Sequence, residues 1–334
     1  MNNDCLIIAE IGINHNGNLN KAFKLIDMAK KSGADIVKFQ TFKAKDIVTR
    51  GTSLASYQKK QLKKNITQYE MLKKLELNNK AFKHIKDYCI KKKIEFLSSP
   101  FSEKDLNFLI DLGIKRIKIP SGEMNNLPLL KVAAKSKLPI ILSTGMASMK
   151  EINKVILFLK KNKVTKEKLT VLHCTTNYPT NLNQVNLNSM LSIKKKFNVN
   201  CGYSDHTDGI LVPVIAVSVG AKIIEKHFTL NKNDIGPDHK SSLEYLDFKE
   251  MVSQIRSIKV IFGSPNKPIS KVEKLNSKLV RKSIVAVVKI KKGEKFNKNN
   301  ITLKRPGTGL SPLKWFDVIG TMAKKDYNPD DLIN

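Results

Sequence analysis

Cysteine is scarce in this chain: Cys5, Cys89, Cys174 and Cys201 are the only four in 334 residues, and no two stand in C-x-x-C spacing. That excludes a disulfide framework and a zinc knuckle and leaves four reduced thiols packed as small hydrophobes. Arginine is scarcer still for so basic a protein. Of 60 basic residues only Arg50, Arg116, Arg256, Arg281 and Arg305 are Arg. A net charge of +31 invites a nucleic-acid reading, but readers of phosphates and bases favour the bidentate guanidinium. The lysines are also spread over 21–31, 80–93 and 154–168 and do not gather in one stripe with interleaved aromatics. The charge reads as solvated surface that steers anionic substrates, with no nucleic-acid partner. No apolar run approaches the roughly 18–20 residues that cross a bilayer. The opening MNNDCLIIAE has no basic segment, so it does not read as a signal peptide. These absences predict a cytoplasmic protein without a membrane partner.

What the chain does contain is a repeated unit: a short β-branched apolar run, a polar loop, then a Lys-rich amphipathic segment. The runs are 6–11, 36–42, 94–98, 117–119, 140–143, 170–174, 199–203 and 221–228. Helical periodicity fits 21–31, 80–92, 103–112, 128–134, 149–161, 188–196, 210–219 and 248–262. Continuous apolar runs suit parallel strands buried on both faces. Eight βα units predict an α/β fold of the TIM (β/α)8 type over residues 1–264, with an open doubly wound sheet as the alternative. A long insertion at 43–79 after the second run reads as a lid or substrate-binding element. Residues 265–282 carry two prolines and read as a linker. Residues 283–334 then read as a small β-rich domain.

In such a barrel the active site forms where the strands end, so the polar residues closing each run are the candidates. They are Glu10; Lys38 and Gln40; Ser98 and Ser99; Lys118, Ser121 and Glu123; Ser143; Thr175, Thr176 and Tyr178; Ser204, Asp205 and His206; Glu225 and His227. Lys38 and Lys118 interrupt apolar strands, where an unpaired ammonium is costly. With the hydroxyls of Ser121, Ser143 and Ser204 they predict a cradle for phosphate or phosphate plus carboxylate; the blander reading is that each lysine snorkels out of the barrel. His206 and His227 end adjacent strands within reach of one divalent ion, with Asp205 or Glu225 orienting the rings. His15 either holds the first loop or lines the pocket.

AEIGINHNG (9–17), VKFQTF (37–42), SSPF (98–101), KIPSGE (118–123), LSTGMAS (142–148), YPT (178–180), GYSDHT (202–207), EKHFT (225–229), GPDHK (236–240) and KRPGTG (304–309) resemble the N-acetylneuraminate (sialic acid) synthase family, which includes the legionaminate and pseudaminate synthases. The resemblance covers nearly the whole chain, and the tail is similar to the antifreeze-like (SAF) domain of those enzymes. It implies a transferase that joins phosphoenolpyruvate to an open-chain N-acetylated amino sugar with a divalent metal, Mn2+ first and Mg2+ or Co2+ as alternatives. It implies phosphoenolpyruvate contacts at Lys38, Lys118, Ser121, Ser143 and Ser204 and metal ligands at His206 and His227. Glu10, Gln40, Ser99, Tyr178 and Asp238 would surround the sugar. Thr176 stands where family members often carry Asn near the phosphate. Arg305 would reach the partner's active site in a domain-swapped homodimer.

The expected reaction is condensation of phosphoenolpyruvate with N-acetylmannosamine to give N-acetylneuraminate, with C–O cleavage and phosphate release. Glu123 is the candidate for activating the attacking water. The alternative within the family is N,N'-diacetyllegionaminate synthesis from 2,4-diacetamido-2,4,6-trideoxymannose. The rivals outside it are a Schiff-base pyruvate aldolase using Lys118 and a basic nucleic-acid-binding protein.

Overall fold

The computed structural model describes residues 5–334 except 56–57, 60–61 and 63–65. The first four residues of the opening stretch and part of the 43–79 insertion therefore lie outside the described residues. The chain divides into two compact units, Met1–Gly263 and Ser264–Asn334.

In the first unit eight strands alternate with helices: β1 Leu6–Gly12, β2 Ile36–Thr41, β3 Glu95–Pro100, β4 Ile117–Ile119, β5 Ile140–Ser143, β6 Leu169–Cys174, β7 Asn200–Asp205 and β8 Ile223–His227. Every ladder between them is parallel, and β1 pairs with both β2 and β8, which bends the sheet round on itself. The β3–β4 seam is the one neighbouring pair without a ladder among the described residues. This is the nearly closed TIM-type barrel that the run-and-helix repeat predicts, and the open doubly wound alternative falls because the two end strands of the sheet, β3 and β4, lie against each other. The helices form where the sequence supplies both a cap and an apolar stripe. In Met149–Lys161, Ser148 and Glu151 make a reciprocal capping box, and Ile152, Val155, Ile156 and Leu159 bury one face.

The barrel has two apolar layers. A large one lies between strands and helices and includes Ile7, Ala9, Val37, Phe39, Val171, Tyr203, Ile224 and Phe228. A small one plugs the barrel itself: Ile8, Ile36, Leu97, Ile141, Leu172 and Ile223. Because side chains alternate along a strand, the residues two places further on also face inward. They are Glu10, Lys38, Ser99, Ser143, Cys174 and Glu225. The apolar plug thus floors a polar chamber.

The insertion builds its own small cluster, with Ile13, Phe42, Leu54, Met71 and Leu75 buried together and its helix Gln68–Leu75 opened by a Thr67–Glu70 capping box. Between barrel and tail, the segment expected to be a linker contains a helix, Lys271–Val280, opened by Ser270 and Glu273. The capping-box spacing after the second proline carries that signal. In the second unit β9 Ser283–Ala286 pairs antiparallel with β10 Ile301–Lys304. Ile284, Ala286, Ile290, Phe296, Ile301, Val318, Ala323, Tyr327 and Ile333 form its core. No helix among the described residues is long and apolar enough to cross a membrane.

Candidate active site

Lys38 and Lys118 point into the barrel and are only 3% and 2% exposed, so neither snorkels outward. Their partners come from strands far away in sequence. Lys38 Nζ lies 2.7 Å from Glu10 Oε2 and 3.7 Å from Glu225 Oε2, and donates to Ser99 Oγ at 3.1 Å. Lys118 Nζ donates to Ser143 Oγ at 2.8 Å and lies 3.5 Å from Glu225 Oε1, which also accepts from Ser204 Oγ at 3.0 Å. Glu225 therefore bridges the two ammoniums. Gln40 Nε2 donates to Glu10 Oε1 at 3.2 Å.

Electrostatics follow from burial and pairing. Burial alone would raise the Glu225 carboxyl, but Lys118 and Lys38 outweigh it and hold its pKa down to about 2. Burial would lower Lys38; Glu10 and Glu225 reverse that and raise it. Lys118 is lowered, because burial exceeds the attraction of Glu225. Glu10 is raised by burial and by the charge of Glu225, against the pull of Lys38. Asp238 is pushed up to about 7 by burial and by Glu10.

The two histidines stand at the same mouth, with ring centroids 5.6 Å apart and the Tyr178 ring 4.1 Å from His206 and 5.9 Å from His227. His206 Nδ1 lies 2.7 Å from the Thr175 carbonyl. A carbonyl only accepts, so Nδ1 carries the proton and Nε2 keeps its lone pair. His227 Nδ1 is buried without a hydrogen-bond partner among the described residues. Burial lowers the pKa of both rings, that of His227 strongly and with help from His206 and Lys38, which favours the neutral imidazole in each. Among the described residues no group of three His, Cys, Asp or Glu side chains converges as a metal cluster.

The remaining candidates sort by geometry. Gln40, Tyr178, His227 and Asp238 line a cavity of about 210 Å³, whose other walls are Ile13, Phe42, Phe101 and the insertion residues Ile47, Gln58, Gln68, Met71 and Leu72. Ser121 is not bonded to a lysine; its Oγ meets Cys174 Sγ at 3.2 Å and accepts from Gly145 N–H at 3.0 Å. A Cβ on Gly145 would stand 2.6 Å from Thr176 Cγ2 and 2.9 Å from Ser121 Oγ, so Thr176, Ser121 and Gly145 are packed together. Glu123 is half-buried and accepts from Asn126 Nδ2 at 2.7 Å. His15 Nδ1 accepts from Gly17 N–H at 3.0 Å and holds the first loop. Arg305 is exposed in the second unit, directly after β10.

Two expectations change. Ser121 and Ser204 were expected to pair with lysines, but Ser204 donates to Glu225. Asp205 was a candidate to orient the histidine rings by direct contact, yet it faces the opposite side of its strand and pairs with Lys226. Glu225, read from the sequence only as a possible orienter, holds the centre of the site. Its signal was parity, since it stands two places before His227 on an inward-facing row.

Comparison with known proteins identifies the family. The NeuB family model matches residues 25–267, and the SAF domain model matches residues 281–334. The chain is 49% identical over 328 residues to an N,N'-diacetyllegionaminic acid synthase of Campylobacter jejuni, covering 98% of both chains. It is 44% identical to the N,N'-diacetyllegionaminic acid synthase of Legionella pneumophila, covering 95% of this chain and 90% of the other. Among solved structures, the N-acetylneuraminic acid synthetase of Leptospira borgpetersenii, in complex with citrate, superposes with a TM-score of 0.71 at 34% identity, covering 82% of this chain and 90% of that one. The chain belongs to the NeuB family, the synthases of sialic, legionaminic and pseudaminic acids.

Proposed function

We propose that the chain condenses phosphoenolpyruvate with 2,4-diacetamido-2,4,6-trideoxymannose to give N,N'-diacetyllegionaminate. The observation that carries the chemistry is the meeting of two buried lysines, Lys38 and Lys118, with two imidazoles in one chamber. The sugar differs from the N-acetylneuraminate expectation: the relatives at 49% and 44% identity are named for the legionaminic product, against 34% for the sialic one. The cavity supports the same choice. Ile13, Phe42, Ile47, Met71 and Leu72 give it apolar walls suited to a 6-deoxy methyl and two acetyl methyls, and Gln40, Gln58 and Gln68 supply amide partners for acetamido groups.

His206 and His227 would hold a divalent cation, Mn2+ in this proposal. Burial favours the neutral form of both rings, the ring of His206 is oriented by the Thr175 carbonyl, and the buried Nδ1 of His227 lacks a hydrogen-bond partner among the described residues. Two imidazoles leave the remaining positions to water and substrate. When bound, that cation supplies Lewis-acid polarisation of the aldehyde oxygen. Lys38 and Lys118 bind the phosphate and carboxylate of phosphoenolpyruvate, and their burial strengthens that attraction. Glu225 fixes both ammoniums before substrate arrives, so little reorganisation is needed on binding. The enol C3 attacks the aldehyde carbon, and water adds at C2. Glu123, paired with an amide, takes the proton of that water. The C2–O bond to phosphate then breaks, and phosphate leaves. Arg305 of a second copy would meet the sugar in a domain-swapped homodimer.

The test is product mass after incubation with phosphoenolpyruvate, Mn2+ and each sugar in turn. Turnover of the 2,4-diacetamido sugar in strong preference to N-acetylmannosamine is expected, and the reverse preference overturns the choice of sugar. Phosphoenolpyruvate labelled with ¹⁸O at the bridging oxygen should release labelled phosphate; label kept in the sugar overturns C–O cleavage. A Schiff-base aldolase would instead be trapped at Lys118 by borohydride with pyruvate, and no adduct is expected.

A further inference from the structure

One buried charged pair in the barrel lies outside the chamber. Asp205 and Lys226 are both 0% exposed, with Lys226 Nζ 2.5 Å from Asp205 Oδ2. They sit on the outward rows of β7 and β8, where the other residues, Cys201, Tyr203, Ile224 and Phe228, belong to the strand–helix core. Fold stability does not ask for such a pair. Replacing a buried ion pair by apolar side chains of similar volume is often neutral or stabilising.

Its position suggests another reason. The β7–β8 ladder runs Tyr203↔Ile224, Ser204↔Glu225 and Asp205↔Lys226, and there it ends. The next residue on each strand is a histidine, His206 or His227, with no ladder to keep the two in step. The side chains take over at that point. Asp205 Oδ1 accepts from Thr207 N–H at 3.1 Å and Oδ2 from Thr207 Oγ1 at 3.0 Å, closing a turn across His206. Lys226 Nζ also donates to the carbonyl oxygen of Thr207. Lys226 is thus tied to both residues flanking His206 while standing next to His227 on its own strand. The Thr180 N–H bond to the His206 carbonyl, 2.8 Å, supports the same turn from β6's side.

We infer that Asp205, Lys226 and Thr207 are positioning residues that set the spacing of the His206 and His227 rings and thereby the affinity for a divalent cation. The inference rests on the proposed two-histidine metal site. Groups that orient metal ligands from behind typically change affinity about 10- to 100-fold when removed.

The experiment compares Mn2+ binding, by calorimetry and by the electron paramagnetic resonance of free Mn2+, in the full-length chain and in the Asp205→Leu/Lys226→Met double variant, which leaves no buried charge unpaired. The double variant should fold with a thermal midpoint near the parent's and bind Mn2+ at least about 10-fold more weakly. A folded double variant with unchanged Mn2+ affinity overturns the inference and leaves the metal site standing. A parent chain that takes up no Mn2+ overturns both. Should the double variant not fold, Thr207→Val decides: it removes the hydroxyl bond to Asp205 but leaves both charges paired. A several-fold loss of Mn2+ affinity in that variant supports the inference, and parental affinity overturns it.

Discussion

Two levels of the barrel interior differ by one pleat, roughly 7 Å along the strands, and have nothing chemical in common. The lower level is Ile8, Ile36, Leu97, Ile141, Leu172 and Ile223. The level above it holds Glu10, Lys38, Lys118 and Glu225 in one ionic group. The lower layer is a plug whose burial stabilises the fold. The upper layer removes four ionisable groups from water, and their mutual attraction at best offsets that desolvation. Barrel strands thus carry stability on one inward position and chemistry on the next.

Substitutions in each level should separate the two roles, and the largest effect is expected above. Lys118→Met should lower kcat/KM for phosphoenolpyruvate by about three orders of magnitude while thermal unfolding shows an intact fold; a loss under tenfold would remove Lys118 from anion binding. Below, Leu97→Ala should cost about 2–5 kcal/mol in denaturant unfolding with kcat per folded molecule within a few-fold of the parent. An equal loss of kcat would mean that the plug also shapes the chamber.

Asp238 sharpens the comparison through pH. Its folded-state pKa, about 7 against 3.8 for the ordinary carboxyl, means that the folded chain keeps a proton the unfolded chain has lost. Wild-type stability from this group is therefore present below pH 4 and lost as pH rises towards 7. Asp238→Asn cannot ionise, so relative to wild type it should gain on the order of 4 kcal/mol between pH 4 and pH 8. Parallel pH profiles in urea unfolding would show that Asp238 is not held protonated. The smallest effect is expected at Arg305, outside both levels: Arg305→Ala should raise the KM for the sugar about tenfold, on the order of one lost charge-assisted bond, and leave that for phosphoenolpyruvate unchanged. Mixing Arg305→Ala with Lys118→Met chains should restore activity if the arginine is contributed across a dimer, because one barrel then receives both groups. No restoration would place Arg305 in cis.

The strands were legible because each is a short β-branched run, and β4 and β5 have the bounds that the runs predict. Helix ends were legible where a cap marks them, as at Ser148 and Glu151. The helix Lys271–Val280 was hidden by the two prolines just before it, although its Ser270–Glu273 box was present in the sequence. In the site, Lys38 and Lys118 announced themselves as charges inside apolar strands. The misread residues were Asp205 on one side and Ser121 and Ser204 on the other, for opposite reasons. Adjacency to His206 made Asp205 look like its partner, but neighbouring residues on a strand face opposite sides. Ser204 was given to a lysine although a carboxylate from β8 lies nearer.

The eightfold repeat and the polar residues that close its runs, among them Glu10, Lys38, Lys118, Ser143, Ser204 and Glu225, follow from the order of residues alone, because short β-branched runs and amphipathic segments are local patterns. The paired histidines, His206 and His227, follow from their place at the ends of adjacent runs. Only the tertiary structure decided who meets whom. Glu225 bridging Lys38 and Lys118, and Asp205 turning away to Lys226, depend on closing the sheet into a barrel. Alternation along one strand fixes a direction but carries no information about what stands opposite across the barrel.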